Sequence, residues 1–206
     1  MIKTYKILSL FLSYPDTDLQ DFLYEGIVEL RKEGLLGDPI IDNLGEFADH
    51  FTKEDIIDWQ AYYVSLFDTS RKTSLYIFEH LKGDSKDRGS AMTDLMDFYR
   101  DNDLVLSERE LPDYLPVFLE FLSELDKEKA SELLAQPVNV IGRIYSALKE
   151  SGNIYRHVLE AVISLSAVSP DDEDISLLKN DFISNGDDGS YKKPFNSSGE
   201  TIDPGH

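Results

Sequence analysis

The stretch SERELPDYLPVFLEFL, residues 107–122, decides the fold class of this chain. Its second half places an apolar side chain at each successive turn of one helical face, at Leu115, Phe118, Leu119 and Leu122. This spacing predicts a helix that buries one side. Pro112 and Pro116 fit the first turns of such a helix, because the first backbone N–H groups have no partner within it.

Helical periodicity continues on the N-terminal side of this stretch. We predict a short apolar first helix, and then a second helix that the glycines of residues 34–37 end. A further helix is predicted to open with an approximate capping box at residues 52–55. The apolar side chains of Leu75, Phe78 and Leu81 predict one face of a short helix.

The C-terminal side is also helical in pattern. Residues 126–149 predict a long helix that Pro137 kinks or divides, and a last helix is predicted from residue 154 to about residue 168. Signals for β-strands are nearly absent. The sequence therefore predicts an all-α fold, a single-domain bundle of roughly eight to ten helices over residues 1–168.

Beyond this bundle, residues 169–206 have a different character. They contain acidic runs and clusters of Gly, Asn and Ser, with few apolar side chains. Such a segment buries too little apolar surface to offset the loss of conformational entropy on ordering. We predict a flexible acidic tail.

Charge and composition restrict the possible functions. Forty acidic and 20 basic side chains give a formal charge of −20, which disfavours nucleic acids and anionic membrane surfaces as partners and favours a basic peptide or protein segment. The chain has no cysteine, which excludes thiolate metal sites and fits a cytoplasmic location. No stretch approaches the ~20 apolar residues of a membrane span, so no membrane insertion is expected.

Motifs for catalysis are missing from the sequence. It has no phosphate-binding glycine loop, no nucleophile elbow and no paired histidine spacing for a metal. Its four histidines are scattered along the chain. The sequence therefore predicts a protein that is not an enzyme and that holds no cofactor or metal of its own.

One segment, residues 63–120, is not strongly acidic and is rich in aromatic side chains. It contains, in order, YVSLFD (63–68), RKTSL (71–75), FEH (78–80), DSKDRG (84–89) and ELPDYLP (110–116). This ordered set closely resembles the NarJ nitrate reductase chaperones, within the wider TorD/DmsD group of molybdoenzyme maturation proteins. Tyr114 is a departure, because the wider family often has His after the Pro-Asp pair.

The resemblance implies an all-helical chaperone with a hydrophobic groove for the N-terminal segment of a molybdoenzyme catalytic subunit. It implies that the chaperone supports insertion of the molybdenum cofactor into that apoprotein and prevents premature membrane docking. A monomer or weak dimer is expected. The residues predicted to bind the peptide are Tyr63, Phe67, Arg71, Leu75, Phe78, Glu79, Asp113, Tyr114, Pro116, Leu119 and Glu120.

Other interpretations remain open from the sequence. Each apolar member of this set fits the core of the bundle equally well, because apolar helical stripes are core by default. Asp113 suits either a bond to nearby backbone N–H groups or a pair with a basic side chain on a bound peptide. A generic helical adaptor, or a small nucleotide-acting enzyme that uses the basic loop at residues 82–88, are the alternative functions.

Overall fold

The computed structural model describes residues 1–80, 85–101 and 111–171, and across these ranges the fold is a bundle of nine α-helices without a named strand. The helices are α1 Lys3–Phe11, α2 Thr17–Glu33, α3 Asp38–Phe51, α4 Ile56–Tyr63, α5 Ser85–Asp101, α6 Leu115–Ser123, α7 Lys127–Leu134, α8 Val138–Glu150 and α9 Arg156–Ser164. The all-α prediction and the predicted number of helices are confirmed. Most of the predicted acidic tail lies outside the described residues.

The first helix, α1, packs against helices from both the N-terminal and the C-terminal part of the described chain. It packs against its neighbour α2 and also against α6 and α9, which come much later in the chain. The backbone N–H of Ile2 donates to the carbonyl of Ser123, and the Ser9 hydroxyl donates to the carbonyl of Pro116 at 2.7 Å. Because Ser9 is buried, this bond satisfies a polar group that water does not reach.

An aromatic group forms the centre where α3, α4 and the start of α9 meet. Phe51 stacks on Trp59 with ring centroids 4.5 Å apart and an interplanar angle of 15°. The Trp59 indole N–H donates to the Tyr155 hydroxyl at 2.8 Å, and the Tyr155 ring lies 5.1 Å from that of Phe47. All four side chains are fully buried, so this group contributes a large apolar area to the core.

Helix starts follow capping chemistry, with one correction. Asp16 and Asp126 accept hydrogen bonds from the third helical residue of α2 and α7. For α4 the cap is Asp55, which accepts from Ile57 N–H at 2.8 Å. Thr52, predicted to open that helix, instead ends α3 and donates to the carbonyl of Ala48 at 2.7 Å. The predicted capping box is therefore wrong in its first residue.

Other boundaries also differ from the sequence-based predictions. The structure contains α3, which the sequence analysis did not mark, and α9 ends at Ser164 rather than near residue 168. Pro116 lies in the first turn of α6, whereas Pro112 precedes that helix. The short helix predicted from Leu75 is a single 3-10 turn, Ile77–His80. The predicted break at Pro137 is confirmed, because it separates α7 from α8.

Replacing either of two glycines by alanine is expected to change the stability of the fold, in opposite directions. Gly34 ends α2 with φ at 72°, while Gly45 lies inside α3, and neither has an atom within 4 Å of an added Cβ. We expect Gly34→Ala to lower the free energy of unfolding by about 1–2 kcal/mol, because an L-residue is strained at positive φ. We expect Gly45→Ala to raise it by about 0.5–1 kcal/mol, because alanine favours the helix interior.

Urea unfolding of both variants, followed by far-UV circular dichroism, checks this pair of predictions. Each variant is the control for the other, since the chemical change is the same. Equal shifts of the same sign would contradict the assigned backbone conformations.

Candidate functional site

A π-helical turn, Val64–Asp68, directly follows α4. Its defining bond runs from the Thr69 N–H to the Val64 carbonyl, five residues earlier, at 3.2 Å. A π-helical turn is uncommon and frequently marks a functional site. Here Phe67 points into the core at 3% exposure, while the next residue, Asp68, is exposed.

The hydroxyl of Tyr63 links three segments of the chain. It donates to the Leu12 carbonyl at 2.7 Å and lies 2.6 Å from the Tyr114 hydroxyl. Since the proton of Tyr63 is used for Leu12, Tyr114 is the donor in the tyrosine pair. Burial raises the pKa of Tyr63 well above its usual range and raises that of Tyr114 to about 12. Both hydroxyls therefore stay protonated at neutral pH.

Tyr76 and Tyr114 pair as an isolated antiparallel bridge. The Ile77 N–H donates to the Asp113 carbonyl, and the Leu115 N–H donates to the Leu75 carbonyl, both at 2.9 Å. These two bonds hold the segment that follows the π-helical turn against the start of α6.

Asp113 is fully buried beside this bridge. One of its carboxylate oxygens accepts a hydrogen bond from the Phe78 N–H at 3.1 Å. This bond connects the loop before α6 to the 3-10 turn Ile77–His80. The predicted pairing of Asp113 with a basic side chain of a peptide stays a prediction.

Four tyrosines around this bridge form what we call the tyrosine cluster: Tyr14, Tyr63, Tyr76 and Tyr114. The Tyr14 ring meets that of Tyr63 edge-on at 5.6 Å, and the Tyr76 and Tyr114 rings are 5.1 Å apart. Tyr14 is half exposed, and Tyr76 and Tyr114 are partly exposed, so the cluster has a buried base and an accessible surface.

The predicted peptide-binding residues converge on this region in different degrees. Most are buried: Tyr63, Phe67, Leu75, Phe78, Asp113, Pro116 and Leu119. Arg71 is exposed, and Glu79, Tyr114 and Glu120 are partly exposed. Glu120 forms an ion pair with Lys6 of α1. The buried members belong to the interior of the bundle. A direct contact with a peptide remains a prediction for every residue of the set.

Three residues of the accessible surface were absent from the predicted set, namely Tyr14, Asp68 and Tyr76. Tyr14 stands at the break between α1 and α2, far in sequence from residues 63–120. Tyr76 lies between the buried Leu75 and Ile77. Residues 75–78 are all apolar or aromatic, so the sequence gives no signal of which of these side chains meets solvent. Asp68 ends a motif that carries the family resemblance, but its exposure is not visible from spacing.

His80 lies at the end of the 3-10 turn and is held on both sides. The His80 ring Nε2 lies 2.7 Å from the Ser74 carbonyl oxygen. The guanidinium of Arg143 donates to the main-chain carbonyl of His80 at 3.1 Å. Since a carbonyl only accepts, Nε2 carries a proton in the neutral ring. Burial lowers the pKa of His80, and the positive charges of Arg143 and Arg71 lower it further against the opposing effects of Ser74 and Glu79.

This lowered pKa predicts a pH-dependent stability. Above the ordinary histidine pKa of about 6.5, the His80 ring is neutral in both the folded and the unfolded chain, so its titration does not change the free energy of unfolding. As the pH falls below it, the unfolded chain takes up the proton first, so the free energy of unfolding decreases until the folded pKa is reached. We expect His80→Gln, which keeps an N–H donor, to lose less stability than the wild type between about pH 7 and pH 5.

Urea unfolding at a series of pH values measures this difference. His50→Gln, at an exposed position on α3, is the control and should follow the wild type. Identical pH profiles for His80→Gln and the wild type would show that the ring titrates alike in both states.

Neither a group of potential metal ligands nor a candidate membrane-spanning helix occurs among the described residues. No group of three or more His, Asp or Glu side chains converges there as a potential metal site. None of the helices described combines the length and hydropathy needed to cross a membrane.

Comparisons with known proteins identify the family. The family model for the nitrate reductase delta subunit matches residues 37–159. The nitrate reductase molybdenum cofactor assembly chaperone NarJ of Escherichia coli strain K12 is 34% identical over 170 residues, which is 82% of this chain and 72% of that protein. The chain belongs to the NarJ family.

A solved structure agrees with this assignment to the NarJ family. A crystal structure described as a redox enzyme maturation protein from Archaeoglobus fulgidus superposes with a TM-score of 0.54 at 26% identity, covering 78% of this chain and 90% of that one. The family resemblance drawn from the sequence is confirmed. Members of the NarJ family are assembly chaperones, so this chain is a chaperone and not an enzyme. The nucleotide-acting enzyme is thereby set aside.

Proposed function

We propose that this chaperone binds the N-terminal segment of the catalytic, alpha subunit of a respiratory molybdoenzyme, in the first place nitrate reductase. While bound, it keeps the apoprotein open for insertion of the molybdenum cofactor and prevents premature docking at the membrane. It acts in the cytoplasm as a monomer or weak dimer. The observation that carries the proposal is the accessible surface of the tyrosine cluster, three of whose four members lie within the segment that resembles the NarJ chaperones most closely.

The shape of this surface supports peptide recognition. Tyrosine rings offer large apolar contact area at little cost in side-chain entropy, and their hydroxyls tolerate a wet boundary. Tyr14, Tyr76 and Tyr114 come from three separate segments and are linked through Tyr63, which the Tyr14 ring contacts and to which the Tyr114 hydroxyl bonds. The buried hydroxyl of Tyr63 fixes Tyr114 from below at 2.6 Å, which limits the rearrangement that binding requires.

Charge supports a basic client segment. The formal charge of −20 attracts a basic peptide over distances comparable to the Debye length and accelerates its encounter with the chaperone. A peptide that carries basic side chains on one face and apolar side chains on the other would match both the acidic surface and the tyrosines.

Co-purification from native cells tests the proposal. A tagged full-length chain is isolated from cells grown anaerobically with nitrate, and bound proteins are identified by mass spectrometry. We expect recovery of one large molybdoenzyme subunit, and loss of that recovery when the N-terminal segment of the subunit is deleted.

Variants of the chaperone locate the binding surface in the same experiment. Tyr76→Ser removes a partly exposed ring of the tyrosine cluster, and Tyr145→Ser removes a partly buried ring from α8 as the matched control. Recovery should fall for the first variant only. If no molybdoenzyme subunit is recovered by the wild type although it is present in the extract, the proposed client is wrong. Equal recovery by both variants places the binding surface elsewhere.

A further inference from the structure

The described part of the C-terminal tail leads back to the tyrosine cluster through three contacts. The N–H of Asp171 donates to the side-chain oxygen of Asn139, at the start of α8, at 2.9 Å. One turn later on the same helix, the guanidinium of Arg143 donates to the main-chain carbonyl of His80 at 3.1 Å. His80 ends the 3-10 turn that directly follows Tyr76. The tail therefore continues from the side of the bundle that carries this cluster.

One short segment of the tail differs from the rest in charge. Residues 172–206, which lie outside the described ranges, carry eight acidic and three basic side chains. Two of the three basic side chains belong to the sequence YKKPF, residues 191–195, and no acidic residue occurs from 189 to 199. We call residues 191–195 the basic tail segment. It combines two lysines with a tyrosine, a proline and a phenylalanine.

The chemistry of the basic tail segment matches that of the client segment in the proposed function. Its lysines are attracted to the bundle, since residues 1–171 carry 32 acidic and 17 basic side chains. Residues 63–120, which include most of the tyrosine cluster, hold seven basic but 12 acidic side chains, so this region too is acidic. The rings of Tyr191 and Phe195 suit the partly exposed rings of Tyr76 and Tyr114, because aromatic side chains pair favourably.

The basic tail segment is within reach of the tyrosine cluster. Tyr191 follows Asp171 by 20 residues, and a chain of that length spans at most ~70 Å. A bundle of ~170 residues has a radius of gyration of only about 15 Å. A segment tethered in this way has an effective concentration on the order of 1 mM at a surface it can reach, so even a weak contact is populated.

We propose that the basic tail segment occupies the accessible surface of the tyrosine cluster, at Tyr76 and Tyr114, when no client is bound. A client segment must then bind this surface better than the tail does in order to displace it. Such competition selects against polypeptides that carry only scattered basic or apolar side chains. The role of the tail as a competitor rests on the proposed function, whereas its contact with the cluster is tested without a client.

A spin label on the tail tests the contact in the full-length protein. Because the chain has no cysteine, Ser197→Cys provides a single attachment site for a nitroxide, two residues beyond the basic tail segment. The unpaired electron broadens the NMR signals of nearby amides. We expect broadening of the amide signals of Tyr76, Ile77 and Leu115 when no client is present.

Two double variants of the tail locate this contact. Lys193→Gln with Phe195→Ser removes one charge and one ring from the basic tail segment. Lys179→Gln with Phe182→Ser makes the same two changes elsewhere in the tail and is the matched control. The first double variant should abolish the broadening, and the control should retain it. Thermal unfolding of both establishes that the bundle is unaffected.

Binding of a client peptide measures the competition. The probe is a fluorescent synthetic peptide that copies the N-terminal segment of the nitrate reductase catalytic subunit from the same organism. We expect Lys193→Gln with Phe195→Ser to bind it about three- to tenfold more tightly than the wild type. This gain corresponds to the loss of a competitor with an effective concentration of ~1 mM and a Kd of a few hundred micromolar. The control double variant should stay within about twofold of the wild type.

Three results would overturn the proposal, and they are distinguishable. If the label broadens no signal of the cluster, or broadens it equally in both double variants, the basic tail segment does not occupy this surface and the proposed function stands. If a labelled copy broadens the signals of an unlabelled, isotope-enriched copy to the same extent, the occupant is the tail of a second copy. If the contact is present but the wild type binds no client peptide, the proposed function is wrong and the tail has no client to compete with.

Discussion

Trp59→Ala is expected to lower the free energy of unfolding by about 3–5 kcal/mol, the largest single effect that the structure predicts. The indole is fully buried, stacks on Phe51 at 4.5 Å and donates to the Tyr155 hydroxyl at 2.8 Å. Truncation removes these contacts and leaves a cavity between α3, α4 and α9 that the surrounding helices fill only in part. Urea unfolding followed by far-UV circular dichroism measures the loss.

Trp59→Phe is the control for this prediction, because it keeps most of the ring and removes the N–H donor. We expect it to cost about 1–2 kcal/mol, the value of a buried hydrogen bond and a small void. If Trp59→Ala were no more destabilising than Trp59→Phe, the aromatic group would not be a rigid part of the core.

Asp113→Ala is expected to lower the free energy of unfolding by about 2–3 kcal/mol, the second largest effect. The carboxylate is fully buried and accepts from the Phe78 N–H, so its removal leaves a buried donor without this acceptor. The loop that carries Tyr76 should loosen with it, because the lost carboxylate bond to Phe78 N–H supports the adjacent main-chain bond from Ile77 N–H to the Asp113 carbonyl, at 2.9 Å. Chemical denaturation reports the stability, and amide hydrogen exchange at Ile77 and Phe78 reports the loop.

Asp113→Asn separates the hydrogen bond from the charge. The amide oxygen can still accept from Phe78, so we expect this variant to retain more stability and slower exchange than Asp113→Ala. Faster exchange at Ile77 and Phe78 in Asp113→Ala alone would support the role in the loop. If exchange at these two amides is unchanged in Asp113→Ala, the residue does not organise that segment.

Local patterns predicted most of the fold because they depend on neighbours in the sequence. The apolar spacing of α6 and the division at Pro137 both reflect constraints within a few residues. The start of α4 was misplaced because Thr52 and Asp55 are both good capping residues. The choice between them depends on where α3 ends, and that helix was not marked.

The candidate site was less predictable because its surface is built from segments distant in sequence. Tyr63 and Phe67 belong to an apolar stripe, and spacing alone does not say which part of a stripe meets solvent. Tyr76 gains its position from the bridge with Tyr114, and Asp68 gains its exposure from the π-helical turn. Neither feature has a signature that a single sequence reveals.

The placement of α1 has a consequence for synthesis on the ribosome. Its partners α6 and α9 follow it by about 100 and about 150 residues, which at ~5–20 residues per second corresponds to a delay of roughly 5–30 s. During that delay the face of α1 that carries Leu8 and Phe11, both fully buried in the finished bundle, lacks these partners. The chaperone that we propose to bind the N-terminal segment of another chain must therefore wait for its own α1 to be buried.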